Sequence, residues 1–133
     1  MEKIAITTGR ILLGFYFFYA GITKIPRYDF MVEYMTLHNI PLINILLPLT
    51  IVLLIVLGLM LITGYRIKEP AIILVTLTLF INFGMHDFWN EYPNTDAGHE
   101  MQNFIKNLGI FAGLLVLSAS NNVSQWRLFN KSL

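Results

Sequence analysis

Four long apolar runs constrain this chain more than any other feature. They cover about Ile4–Ile25, Ile43–Thr63, Pro70–Phe88 and Phe104–Ala119. A bilayer core takes roughly 20 apolar residues per helix, and each run fits or nearly fits that length. Lipid offers the backbone no hydrogen-bond partner, so a spanning segment is a helix or part of a closed barrel. None of the runs alternates apolar and polar residues as a barrel strand does. The sequence predicts an all-α membrane protein: a four-transmembrane-helix bundle forming a single integral membrane domain over 1–133.

Hydrophobic residues make up 56% of the chain and charged residues 13%, more apolar surface than a soluble domain of this size can hide. The lipid bilayer is therefore its first partner. The run after Lys3 is longer than a signal-peptide core and lacks a small-x-small site behind it, so it reads as a retained helix. A net charge of +1 and the absence of any basic run argue for no nucleic acid partner. The chain has no cysteine, which removes disulfides, dithiol redox chemistry and thiolate metal sites. A redox role would need a bound cofactor or a partner's thiols.

The third run closes on Asn82-Phe83-Gly84-Met85-His86-Asp87-Phe88-Trp89. On a continuous helix Asn82, His86 and Trp89 share one face. Gln102, Asn103, Lys106 and Asn107 open the fourth run, and Lys24 closes the first. Three helix ends thus place polar groups at one membrane depth. The candidate ligand-binding residues are Lys24, Asp87, Trp89, Asn103, Lys106 and Asn107, with His86 as candidate proton donor. Two ammonium groups and an imidazole make an electropositive pocket that suits a quinone carbonyl. An imidazole titrates near neutrality and can protonate a reduced ring, while Phe88 and Trp89 can stack on it. The same layer also reads as hydrogen-bonded glue between helices, or as a docking surface. A bis-histidine haem needs two facing histidines, and only His86 lies in a run. His86, Asp87, His99 and Glu100 match no ligand spacing, so no metal is expected. Ser118, Ser120 and Ser124 lie at the other membrane face from His86, which argues against a serine hydrolase.

Around this layer the sequence reads as scaffold. Arg10, Gly14, Phe17, Gly21 and Lys24 form one stripe of the first helix. Arg10 is a structural intramembrane charge that either snorkels to the near interface or finds a buried partner, since an unpaired one costs roughly 2.5–3.5 kcal/mol. Phe30, Tyr34 and Leu37 recur at helical spacing between Pro26 and Pro41, predicting a short interfacial helix between helices one and two. Pro48 is expected to kink helix two. Gly109 and Gly113 form a small-xxx-small contact face in helix four. Trp126, Arg127 and Lys131 read as an interfacial anchor. Lys3, Arg66, Lys68, Arg127 and Lys131 gather on one side, so both termini are expected in the cytoplasm and the His86 layer on the outer side. Arg10 and Lys24 on one stripe also allow a solute path, although four helices make a narrow pore unless the protein forms a homo-oligomer. A non-enzymatic membrane scaffold is the remaining alternative.

Several stretches resemble the DoxX-like family of small bacterial membrane proteins. They are Gly9-Arg10-Ile11-Leu12-Leu13-Gly14 with Phe18, Gly21, Lys24 and Ile25; Ile40-Pro41; Leu61-Ile62-Thr63-Gly64-Tyr65-Arg66; His86-Asp87-Phe88-Trp89; and Asn103-Phe104-Ile105-Lys106-Asn107-Leu108 with Gly113-Leu114-Leu115. Each is modest alone, but the ordered set covers nearly the whole chain. The resemblance implies a four-helix, multi-pass protein of the bacterial inner (cytoplasmic) membrane. It also implies a subunit of a thiol- or sulfur-linked redox assembly, with a membrane or periplasmic redox partner and a quinone as the ligand at the outer face. Many relatives carry an acid in helix two; Leu46 to Ile62 contains none, so that acid's role does not carry over.

Overall fold

Apolar length sets the helices, and the polar residues between them set where each one stops. The structure is a computed structural model and describes residues 1–129. Its α-helices are α1 (Glu2–Lys24), α2 (Tyr28–Leu37), α3 (Ile43–Thr63), α4 (Lys68–Met85) and α5 (Ala97–Ala119), followed by a short 3-10 turn at Ser120–Asn122. Among the described residues there is no strand. Helices α1, α3, α4 and α5 are long and apolar enough to cross a bilayer, and between 17% and 33% of their most apolar stretches is buried inside the protein. The remaining apolar surface, including Leu12, Phe15, Val52, Phe80 and Val116, points outward. Lipid solvates such faces as well as a protein core would. The short helix expected between the first two spans is α2.

The closest packing joins α1 to α3. A Cβ on Gly58 would sit 2.6 Å from the Phe18 backbone nitrogen, and one on Gly14 would sit 2.7 Å from the Gly58 carbonyl oxygen. Glycine at both positions lets the two backbones touch. The stripe Arg10, Gly14, Phe17 and Gly21 is the buried face of α1. Phe17 joins Leu54, Leu57 and Leu61 of α3, Ala71 and Leu74 of α4, and Leu114 and Leu117 of α5 in the core. Helix α3 runs on through Pro48. The expected contact face in α5 is not there: a Cβ on Gly109 would meet nothing within 4 Å, and one on Gly113 would make ordinary contact with Leu13 at 3.7 Å. The spacing places two glycines on one helix face, but that face does not lie hard against a neighbour.

Two helix limits differ from those expected at the polar end. Helix α4 stops at Met85, three residues before Phe88. His86 takes φ −121° and ψ 39°, and Phe88 N then donates to His86 O while Asn90 N donates to Asp87 O. Helix α5 starts at Ala97, seven residues before Phe104. Asp96 caps it, accepting from the Gly98 and His99 amides, which satisfies two otherwise unpaired donors. The first two turns of α5 are thus a polar extension of the apolar span.

At the opposite end the chain folds back across the bundle. Trp126 N donates to Thr7 Oγ1 at 3.1 Å, Arg10 Nη2 donates to Trp126 O at 2.7 Å, and Leu128 N donates to Thr63 O at 2.9 Å. Arg10 is 2% exposed, so it is buried against this segment and does not snorkel. The Trp126 indole is exposed, with the Lys3 ammonium 4.8 Å from its ring centre. Lys131 of the expected anchor lies outside the described residues.

Candidate functional site

The ends of α1 and α4 and the start of α5 meet at one depth, and a cavity of about 160 Å³ lies between them and α3. Lys24, His86, Asn103, Lys106 and Asn107 all line it. Tyr16, Phe17, Leu54 and Ile81 supply apolar wall, and Thr78 lies among them. The cavity's volume is comparable to that of an apolar cavity that holds benzene.

Two expected residues are elsewhere. Because α4 ends at Met85, His86 and Trp89 do not share a helical face. Trp89 is 53% exposed and packs edge-on against Phe88 and Phe104, away from the cavity. Asp87 turns inward to a different set of partners. Its Oδ1 lies 2.8 Å from His38 Nδ1, and its Oδ2 accepts from Asn90 Nδ2 at 2.8 Å and from the Tyr92 hydroxyl. The carboxylate thus ties the start of the α4–α5 loop to the end of α2. Burial alone would raise its pKa, but the hydrogen bonds from Asn90, Tyr92 and His38 outweigh that and hold it below the ordinary aspartate value. Bonding to Asp87, with burial, pushes the Tyr92 phenol up.

The partner of His86 is Glu100, which the sequence offered only within a rejected metal set. His86 Nδ1 lies 2.6 Å from Glu100 Oε2. The other Glu100 oxygen accepts from the Tyr34 hydroxyl of α2. Burial and this bond to Glu100 raise the Tyr34 pKa. Tyr34 also stacks obliquely on His38, with ring centres 4.6 Å apart. Two histidine–carboxylate pairs, His86–Glu100 and His38–Asp87, therefore flank Tyr34. A signal for Glu100 was available: Glu100, Asn103 and Asn107 fall at i, i+3 and i+7 on a helix that Asp96 begins.

The rest of the layer is paired within itself. Asn107 Nδ2 donates to Asn82 Oδ1 at 3.2 Å, and Asn82 Nδ2 donates to Phe104 O at 3.1 Å, joining α4 to α5. Lys106 Nζ donates to Asn103 Oδ1 at 3.1 Å, and Lys24 Nζ to Ala20 O at 3.3 Å. Each ammonium keeps further donors for a ligand. Among the described residues no group of three or more histidine, aspartate or glutamate side chains converges to hold a metal ion. With Nδ1 on a carboxylate, His86 has its Nε2 for the cavity. A carboxylate that orients an imidazole is a general device for proton transfer.

The Escherichia coli (strain K12) protein described as inner membrane protein YqjF is similar to this chain: 31% identical over 118 residues, covering 89% of this chain and 85% of that protein. No solved structure matches. The DoxX family profile matches residues 5–87, which takes in α1 to α4 together with His86 and Asp87 and stops short of Glu100 and the α5 side of the cavity. A family profile that runs from the first span to the His86–Asp87 pair, and a relative aligned across most of both chains, place this integral membrane protein in the DoxX family.

Proposed function

We propose that this protein is a membrane subunit of a redox assembly and binds the ring of a quinone-type molecule in the polar cavity. The carrying observation is His86 at the cavity wall, with Nδ1 held 2.6 Å from Glu100 and Lys24, Asn103, Lys106 and Asn107 around the same space. Reducing a quinone takes two electrons and two protons. The chain has no thiol to give electrons, so a partner carrying a thiol or sulfur donor supplies them and is itself oxidised. His86 gives one proton from Nε2 and is left neutral with Nδ1–H on Glu100; an acid of the medium gives the other and then returns a proton to His86, so two protons and the partner's two electrons are taken up per quinone. The ammonium groups and amides donate to the ring oxygens as negative charge builds there.

Location follows from two supports. The similar Escherichia coli protein is described as an inner membrane protein, and the basic residues gather at the end holding Lys3, Arg66, Lys68 and Arg127. Both termini then lie in the cytoplasm and the cavity opens toward the outer side. Activity from a periplasm-dependent reporter fused after Leu133 would reverse this orientation.

The test of the ligand is its content in protein purified with native lipids. Quinone should co-purify with the natural chain and fall at least several-fold in His86→Ala and Lys106→Ala, with the melting temperature of Lys106→Ala, whose ammonium is paired only with Asn103 among the described residues, held within a few degrees. A lowered melting temperature with unchanged quinone would leave the layer as helix glue.

A further inference from the structure

We infer that the Thr78 hydroxyl is the inner anchor of the cavity's ligand, which therefore carries a hydrogen-bonding oxygen at each end and lies along the bundle axis. This deepens the quinone reading and rests on it. Thr78 is 5% exposed, lines the cavity, and its Oγ1 is buried with no hydrogen-bond partner among the described residues. A hydroxyl buried without a partner in an apolar setting is costly.

A helical threonine ordinarily escapes that cost by bonding its own helix. Thr23, Thr36, Thr63 and Thr76 do so here, each donating to the carbonyl four residues earlier at 2.7–3.2 Å. Thr78 makes no such bond to Leu74. The deeper polar groups of the layer do not serve it either: the Asn82 amide is turned to Phe104 O and Asn107, and Thr78 Oγ1 has no partner among the described residues. Thr78 lies two turns of α4 inside His86, roughly 12 Å of axial rise. Phe17, Leu54 and Ile81 give apolar wall to the same cavity. A ring with oxygens at opposite ends meets donors from Lys24, Lys106 and His86 at the mouth and the Thr78 hydroxyl within. A ring with one oxygen leaves one of these ends unmatched.

The test compares two rings in the purified full-length protein. Duroquinone has two opposed oxygens, and its methyl groups block addition by lysine. Tetramethylphenol has one oxygen. Thr78→Val keeps the shape and removes the hydroxyl; Thr78→Ser keeps the hydroxyl. Thr78→Val should weaken duroquinone binding about three- to tenfold, the range for one neutral hydrogen bond. It should leave tetramethylphenol binding unchanged, and Thr78→Ser should bind duroquinone like the natural chain. Melting temperature of Thr78→Val should hold or rise. Equal effects of Thr78→Val on both probes, or none on either, overturn the anchor while the ring site stands. Failure of the natural chain to bind either probe overturns the ring site and the anchor together.

Discussion

His86 Nδ1 sits 2.6 Å from a Glu100 oxygen whose carboxylate also accepts from Tyr34, and this fixes the tautomer of the ring. A carboxylate only accepts, so Nδ1 must carry hydrogen, which leaves Nε2 of this cavity-lining residue as a base, or as an acid when the ring is cationic. Glu100→Gln should invert this. The Tyr34 hydroxyl holds the amide oxygen, the amide nitrogen turns to Nδ1, and neutral His86 becomes the Nε2–H tautomer. Nitrogen-15 spectra of labelled histidine report the exchange directly. An unchanged Nδ1–H signal in the variant would refute the assignment. Glu100→Ala should leave His86 Nδ1 without its partner and the Tyr34 hydroxyl with only Met85 O at 3.2 Å, and cost about 1–3 kcal/mol, seen as a melting temperature several degrees lower.

Gly58, with Gly14 opposite it, should be among the least replaceable glycines in the spans. Its added Cβ would meet the Phe18 backbone, which cannot swing aside as a side chain can. Gly58→Ala must push α1 off α3 and should cost about 1–3 kcal/mol. Gly113→Ala meets Leu13 at ordinary distance and should melt within about a degree or two of the natural chain. Equal losses in detergent melting would contradict this difference.

The contrast between these glycines shows what a sequence can carry. Apolar length alone marks the spans, because a bilayer imposes it. The meeting of Lys24, His86, Asn103, Lys106 and Asn107 is legible as well, since polar groups at the ends of apolar runs share a depth whatever the packing. Which glycine face meets a neighbour depends on helix order and rotation, which a small-xxx-small spacing leaves open. The end of α4 was hidden because Phe88 and Trp89 continue the apolar pattern after His86 has left the helix. Glu100 was hidden by lying ahead of the fourth apolar run, on turns of α5 that exist through the Asp96 cap. Tyr34 and His38 reach the site through α2, from 66 and 49 residues away in sequence from Glu100 and Asp87.

Asp87 gives a prediction in pH. Its folded pKa is below the ordinary aspartate value of about 3.9. Between the two values the unfolded chain binds the proton and the folded chain does not. The stabilisation is therefore complete above about pH 4 and is lost as pH falls through the folded value. Detergent melting should drop in that acid window for the natural chain. Asp87→Asn should be less stable at neutral pH and show a flatter acid limb. An identical acid slope in both proteins would assign the drop to other carboxylates.

Arg10 and Thr7 pin the segment after α5 through the two sides of one peptide, Trp126 O and Trp126 N. Arg10 is buried with its guanidinium close to Gly64, while Arg127 crowds the same glycine. Replacing such a charge by an apolar chain of similar length often leaves stability unchanged, because the cost of burying the charge disappears with it. Arg10→Met should therefore keep the bundle's melting temperature within a few degrees and still release the pinned segment. Thr7→Val removes the other bond and should act alike. Each lost hydrogen bond raises local opening about two- to tenfold. Trypsin cleavage after Arg127, followed by mass, should accelerate by that factor in both variants. Cleavage at the natural rate in both would show that Leu128 bonding to Thr63 holds the segment by itself.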